Sequence, residues 1–111
     1  MNAEELRNKI KDIFGEQVLF NKEFDVYAQT IKNIDHALIS WCEEIRDQKI
    51  PAIFNSLLGE KIVFIKKLGS SDRCIIVKIK NDGVKEVHLG DHKYYDFLRK
   101  KLGLKENSRM Y

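Results

Sequence analysis

Proline occurs once in these 111 residues, cysteine twice and histidine three times. Cys42 and Cys74 stand far apart on apolar stretches. They predict no disulfide framework and read as small buried hydrophobes of a reducing compartment. His88 and His92 are the one close pair among Cys and His, which argues against a zinc site. No metal and no other cofactor is expected. No apolar run approaches the roughly 20 residues that cross a bilayer. Glu4, Glu5 and Arg7 interrupt any leader-like segment, so the expected location is cytoplasmic, without membrane contact. A Gly-rich phosphate loop, an HExxH helix and a Ser-centred nucleophile motif are all missing.

Charge is plentiful and unevenly placed. Residues 1–60 hold 7 Lys and Arg against 11 Asp and Glu, a balance of −4. Residues 61–111 hold 13 against 6, a balance of +7. A polyanion partner would use such a basic half, and an acidic half complementing a basic one within a single fold would show the same numbers.

The basic half centres on residues 61–95. Asn81-Asp82-Gly83 suits a three-residue hairpin loop, with Gly83 taking the positive φ. Folding about Asp82 sets Lys78 opposite Glu86, Ile76 opposite His88, Val77 opposite Val87, Ile75 opposite Leu89 and Arg73 opposite Asp91. Opposite charges and apolar pairs then coincide, as cross-strand pairing rewards. Ile75, Val77, Ile79, Val87 and Leu89 form the expected buried face. Lys78, Lys80, Glu86 and His88 form the open one, with Cys74 and Ile76 among them. Lys61–Leu68 is a third β-rich run, joined through the turn signal Gly69-Ser-Ser-Asp72.

Helical signals flank this meander. Asn2 and Glu5 make a capping box, Leu6, Ile10, Ile13 and Phe14 share a face, and Gly15 closes the helix. Phe24, Tyr27, Ile31, Ile34, Leu38, Trp41 and Ile45 step by three and four. This stripe spans one helix or two broken near Ile34, with Asp35 as a second N-cap, and serves either as core or as the seam of a homodimer. Pro51 suits the first position of a short helix bearing Ile53, Phe54, Leu57 and Leu58. Tyr94, Leu98 and Leu102 mark a last helix.

The expected fold is therefore one α+β domain, residues 1–111. An antiparallel meander at about 61–68, 73–80 and 84–90 is packed on one face by helices at 3–14, 24–48 and 51–58. A C-terminal helix at 93–102 and a frayed tail at 104–111 follow.

The order of elements from Val18-Leu-Phe20 onward, the run Asp72-Arg-Cys-Ile-Ile-Val-Lys-Ile79, and Leu89-Gly-Asp-His-Lys-Tyr-Tyr95 resemble the RelE/ParE superfamily of toxin proteins over about residues 17–98. Arg73 matches the family's strand arginine and Gly90 its glycine. His92 falls where the family carries an arginine, and Tyr94 or Tyr95 matches its closing tyrosine. Asp91 stands where the family usually has histidine, and the first helix is an addition. The resemblance implies a metal-independent ribonuclease acting on ribosome-bound mRNA, or a relative that binds RNA without cutting it. It also implies a small antitoxin protein as partner.

The candidate reacting residues are Arg73, His88, His92 and Tyr95, and the candidate phosphate contacts are Lys66, Lys67, Lys78, Lys80 and Lys93. Arg73 could clamp a phosphate or pair with Asp91. His88 and His92 carry imidazoles suited to proton transfer near neutral pH. Tyr94 shares a face with Leu98 and is expected in the core, leaving Tyr95 as the functional tyrosine. A non-catalytic nucleic-acid- or protein-binding module stands as the second reading.

Overall fold

The computed structural model describes residues 1–52, 54–55 and 60–104. It is an α+β fold. Helix α1 (Ala3–Phe14) starts at the expected cap: Glu5 N–H donates to Asn2 Oδ1 at 2.8 Å, and the Glu5 carboxylate reaches back to the Asn2 N–H. Gly15, at φ +113°, ends it with its N–H on the Lys11 carbonyl. Strand β1 (Leu19–Phe20) and helix α2 (Phe24–Thr30) follow. A 3-10 turn over Lys32–Ile34 then breaks the long stripe, and helix α3 (Asp35–Arg46) resumes it. Asp35 is not the N-cap. It is the first helical residue, and its buried carboxylate lies 2.6 Å from the Met1 amino group.

Strands β2 (Phe54–Asn55), β3 (Lys61–Lys67), β4 (Asp72–Ile79) and β5 (Val84–Asp91) complete a five-stranded sheet in the order β1-β5-β4-β3-β2. Strand β1 runs parallel to β5, and the other pairings are antiparallel. Phe54 and Asn55 therefore extend along the edge of β3 instead of forming the helix expected at 51–58. The edge offers unpaired backbone groups that an aromatic strand former satisfies. Residue 53 and residues 56–59 of that expectation lie outside the described residues, as does the tail from 105 onward. Leu104, expected to fray, is buried, and its N–H donates to the Arg99 carbonyl.

The β4–β5 register differs by one residue from the expectation. Ile76 faces Val87, Ile75 faces His88, Cys74 faces Leu89 and Arg73 faces Gly90. Asp91 stands opposite Asp72, not Arg73. A bulge at Lys85 lies between the Val77–Glu86 and Lys78–Val84 pairs, and the positive φ of the turn falls on Asn81 (62°) instead of Gly83. A bulge inserts an unpaired residue and re-aims its strand.

The cause of the difference is burial on both sides of the sheet. Helices α1, α2 and α3 pack Leu6, Ile10, Phe24, Leu38, Trp41 and Cys42 against Phe64, Cys74, Ile76, Val87 and Leu89. Helix α4 (His92–Lys101) packs Tyr95, Leu98 and Leu102 against Val63, Ile65, Ile75 and Val77 on the other face. Strand β4 is apolar on both faces, so alternation cannot select between adjacent registers. The stripe from Phe24 to Ile45 lies largely inside this core. Phe24, Ile31, Leu38, Trp41 and Ile45 are buried, and Tyr27 and Ile34 pack against them. Among the described residues, no helix is long and apolar enough to cross a membrane.

Candidate functional site

No open lysine platform forms. Alternation along β3 sends Lys66 toward α3, where its ammonium lies 5.9 Å from the centre of the Trp41 ring, and turns Lys67 to the other face. Lys78 belongs to the face covered by α1 and α3, Lys80 is exposed at the hairpin turn, and Lys93 is exposed on α4. The five cations are thus dispersed over the molecule.

A different group converges where β5 runs into α4. The Asp91 carboxylate caps α4 by accepting the Tyr94 N–H at 2.9 Å. The Tyr94 side chain then packs against Gly90, close enough that a Cβ on Gly90 would stand 2.6 Å from Tyr94 Cδ2. Gly90 is needed here for its lack of a side chain. This packing brings the Tyr94 hydroxyl to 2.6 Å from His88 Nδ1. On the far side of the imidazole, Nε2 lies 2.8 Å from Glu86 Oε1. Glu86 and His88 reach the same face because they sit two apart on β5.

The chemistry of the three groups orders their protons. An ionised carboxylate only accepts, so Nε2 carries hydrogen toward Glu86, and Nδ1 of the neutral ring accepts the Tyr94 O–H. The hydrogen bond from His88 holds the Glu86 carboxyl below its usual range, helped by Lys61 and Lys101. Burial pushes the Tyr94 phenol up to about 12, and the charges of Glu23 and Glu86 add to this. Tyr94 therefore stays a protonated phenol at neutral pH. Any proton it accepts at oxygen must be matched by one passed to His88. Glu86, His88 and Tyr94 form a carboxylate–imidazole–phenol relay. His88 is only 7% exposed, whereas Tyr94 and Glu86 are half-buried and reach solvent.

The remaining candidates fall around this relay or away from it. Arg73 is buried and sits opposite Gly90, with one guanidinium nitrogen donating to the Asp72 carbonyl at 2.9 Å. His92 is half-exposed at the start of α4, 3.3 Å from Asp96 and edge-on to Tyr95. Tyr95 is fully buried beneath α4. The two tyrosines thus exchange their expected places. The apolar side of α4 runs through Tyr95, Leu98 and Leu102, and Tyr94 lies at its margin. Glu86 and the exposed Phe97 are not among the candidates, and Tyr94, one of the two matches to the closing tyrosine, is set aside for the core by its spacing from Leu98. The Glu-x-His spacing on one strand was the signal that could have marked the first.

A cleft of about 590 Å³ opens elsewhere, among the ends of α1 and α3 and the hairpin turn, and is lined by Ile13, Phe14, Ile45, Arg46, Lys78 and Asp82. It contains none of the relay residues. Its floor of Phe64 and Val84 belongs to the opposite side of the sheet. In comparisons with known proteins, no family model matches the chain, and neither a curated protein nor a solved structure matches it.

Proposed function

We propose that this chain is a toxin-like protein directed at RNA, acting as a metal-independent ribonuclease through Tyr94, His88 and Glu86. The relay is the observation that carries the reading. A ribose 2′-hydroxyl would donate to the Tyr94 oxygen while the Tyr94 proton moves to His88 Nδ1, and Glu86 balances the imidazolium that forms. The 2′-oxygen then bonds to the adjacent phosphorus and the bond from phosphorus to the 5′-oxygen breaks. The leaving oxygen takes a proton from water. The products are a 2′,3′-cyclic phosphate and a 5′-hydroxyl. Arg73, opposite Gly90, lies on the same face of the sheet as the relay and supplies positive charge there.

Two further features support the resemblance to RelE/ParE toxins. From Leu19 the chain reads strand, two helices, a three-stranded meander and a helix, with the short strand β2 added before the meander. The cations exposed together on α4, Lys93, Lys100 and Lys101, suit an RNA partner. The reading places the protein's action in the cytoplasm, on ribosome-bound mRNA, with a small antitoxin protein to restrain it. The deep burial of His88 and Arg73 favours a second reading, an RNA-binding relative that does not cleave.

Purified protein incubated with mRNA-loaded ribosomes separates the two. Cleavage that yields 2′,3′-cyclic ends and disappears in Tyr94→Phe is expected. Intact mRNA at saturating protein, with no growth arrest on expression, would remove the ribonuclease reading.

A further inference from the structure

Phe97 is 61% exposed, and of the large hydrophobics exposed among the described residues (Leu19, Val26 and Phe97) it is the aromatic one. Its ring centre lies 6.5 Å from that of Tyr94, so it continues the aromatic surface that begins at the relay. The exposed residues beside it on α4 are cationic. Lys93 precedes Phe97 by four positions, Lys100 follows by three and Lys101 by four, spacings that place all three next to the ring on the helix surface. Lys101 also acts on Glu86, which ties this strip to the relay. An uncovered aromatic ring among lysines, leading to a phenol held in a proton relay, is a chemical arrangement suited to an unpaired polynucleotide. Bases stack on rings and phosphates pair with ammonium groups. A duplex offers no free base face to Phe97.

We infer that Phe97 is a base-stacking platform, flanked by Lys93, Lys100 and Lys101, that holds a single-stranded RNA with its backbone at Tyr94. This rests on the RNA reading above and names the substrate as an unpaired strand.

The test separates binding from cleavage. The probe is a 2′-O-methyl oligouridine, which lacks the attacking hydroxyl, offered single-stranded or paired with its complement. Phe97→Trp provides a fluorescent ring at the site, since the single native tryptophan, Trp41, is buried. Saturable quenching of Phe97→Trp by the single strand is expected, with little by the duplex, together with about ten-fold or greater loss of affinity in Phe97→Ala. Equal affinity in Phe97→Ala and the unaltered chain, or equal quenching by duplex and single strand, overturns the inference. Stacking by a chain that cleaves no RNA keeps the inference and refutes the ribonuclease reading. Cleavage that persists undiminished in Phe97→Ala, without quenching in Phe97→Trp, does the reverse. Retained RNA affinity with loss of a co-expressed antitoxin's binding in Phe97→Ala also overturns it and assigns the ring to a protein contact.

Discussion

The Tyr94 hydroxyl sits 2.6 Å from His88 Nδ1, and this hydrogen bond joins the first turn of α4 to the end of β5. Removing the oxygen leaves a mostly buried imidazole nitrogen without its donor. Tyr94→Phe should therefore cost about 1–3 kcal/mol of stability, and the loss of a proton-transfer group should lower cleavage by roughly 10²–10⁴-fold. Denaturant unfolding and single-turnover cleavage measure the two effects. A variant that is less stable yet fully active would confine the bond to a structural role.

Gly90 sets the position of that phenol. The Cβ of Gly90→Ala would stand 2.6 Å from the Tyr94 ring, so the ring must shift and the bond to His88 lengthen. Overpacking of this kind costs about 1–3 kcal/mol. With Tyr94→Ala already in place the ring clash is gone but the residue-94 Cβ still lies 2.8 Å from the added methyl, so the cost should fall without vanishing, and a double-mutant cycle reads the coupling. Additive effects in the cycle would show that Gly90 matters for another reason.

The Glu86 carboxyl titrates below its usual value of 4.5 because His88 donates to it. A carboxyl depressed on folding stabilises the native state above its unfolded pKa, and that contribution fades as pH falls through the folded pKa. The stability gap between the unaltered chain and Glu86→Gln should hold above pH 4.5 and close below it. Unfolding midpoints measured from about pH 6 down to about 3 test this, and a gap that widens on acidification would contradict the assignment.

Gln48 follows α3 with φ +59°, a conformation that glycine adopts at lower cost. Its neighbour Lys49 returns an N–H to the Glu44 carbonyl, as in a helix stop that normally carries glycine at this point. Gln48→Gly should stabilise the protein by about 0.5–1 kcal/mol, raising Tm by a few degrees in a domain of this size. A lower Tm would mean that the glutamine side chain supports the fold by its contacts.

Charge removal should depend on the face chosen. Lys93→Ala with Lys100→Ala is expected to flatten the salt dependence of RNA affinity, by roughly 0.7 of a logarithmic unit of slope for each phosphate no longer neutralised. Lys66→Ala should leave that slope unchanged, since its ammonium lies over Trp41. Equal effects from both would disconnect binding from α4.

What could be read directly from the residues was local. The Asn2–Glu5 box and Gly15 bound α1 at Ala3 and Phe14, where the structure has it. A β-rich run located β3, the turn at Asn81–Gly83 with its cross-strand pairs located β4 and β5, and Asn33–Asp35 offered a place for the stripe to break between α2 and α3, with one unbroken helix as the alternative. Caps, periods and turn residues act within one or two turns of chain, so they are written in adjacent residues. The tertiary structure decided the rest. Whether Ile75 or Ile76 faces α3 depends on α4 covering the far side of the sheet, because β4 is apolar on both faces. Whether Tyr94 or Tyr95 meets His88 depends on how Asp91 starts α4 and on the space beside Gly90. Such choices turn on contacts between residues distant in the chain, and only packing selects among the registers that a doubly apolar strand allows.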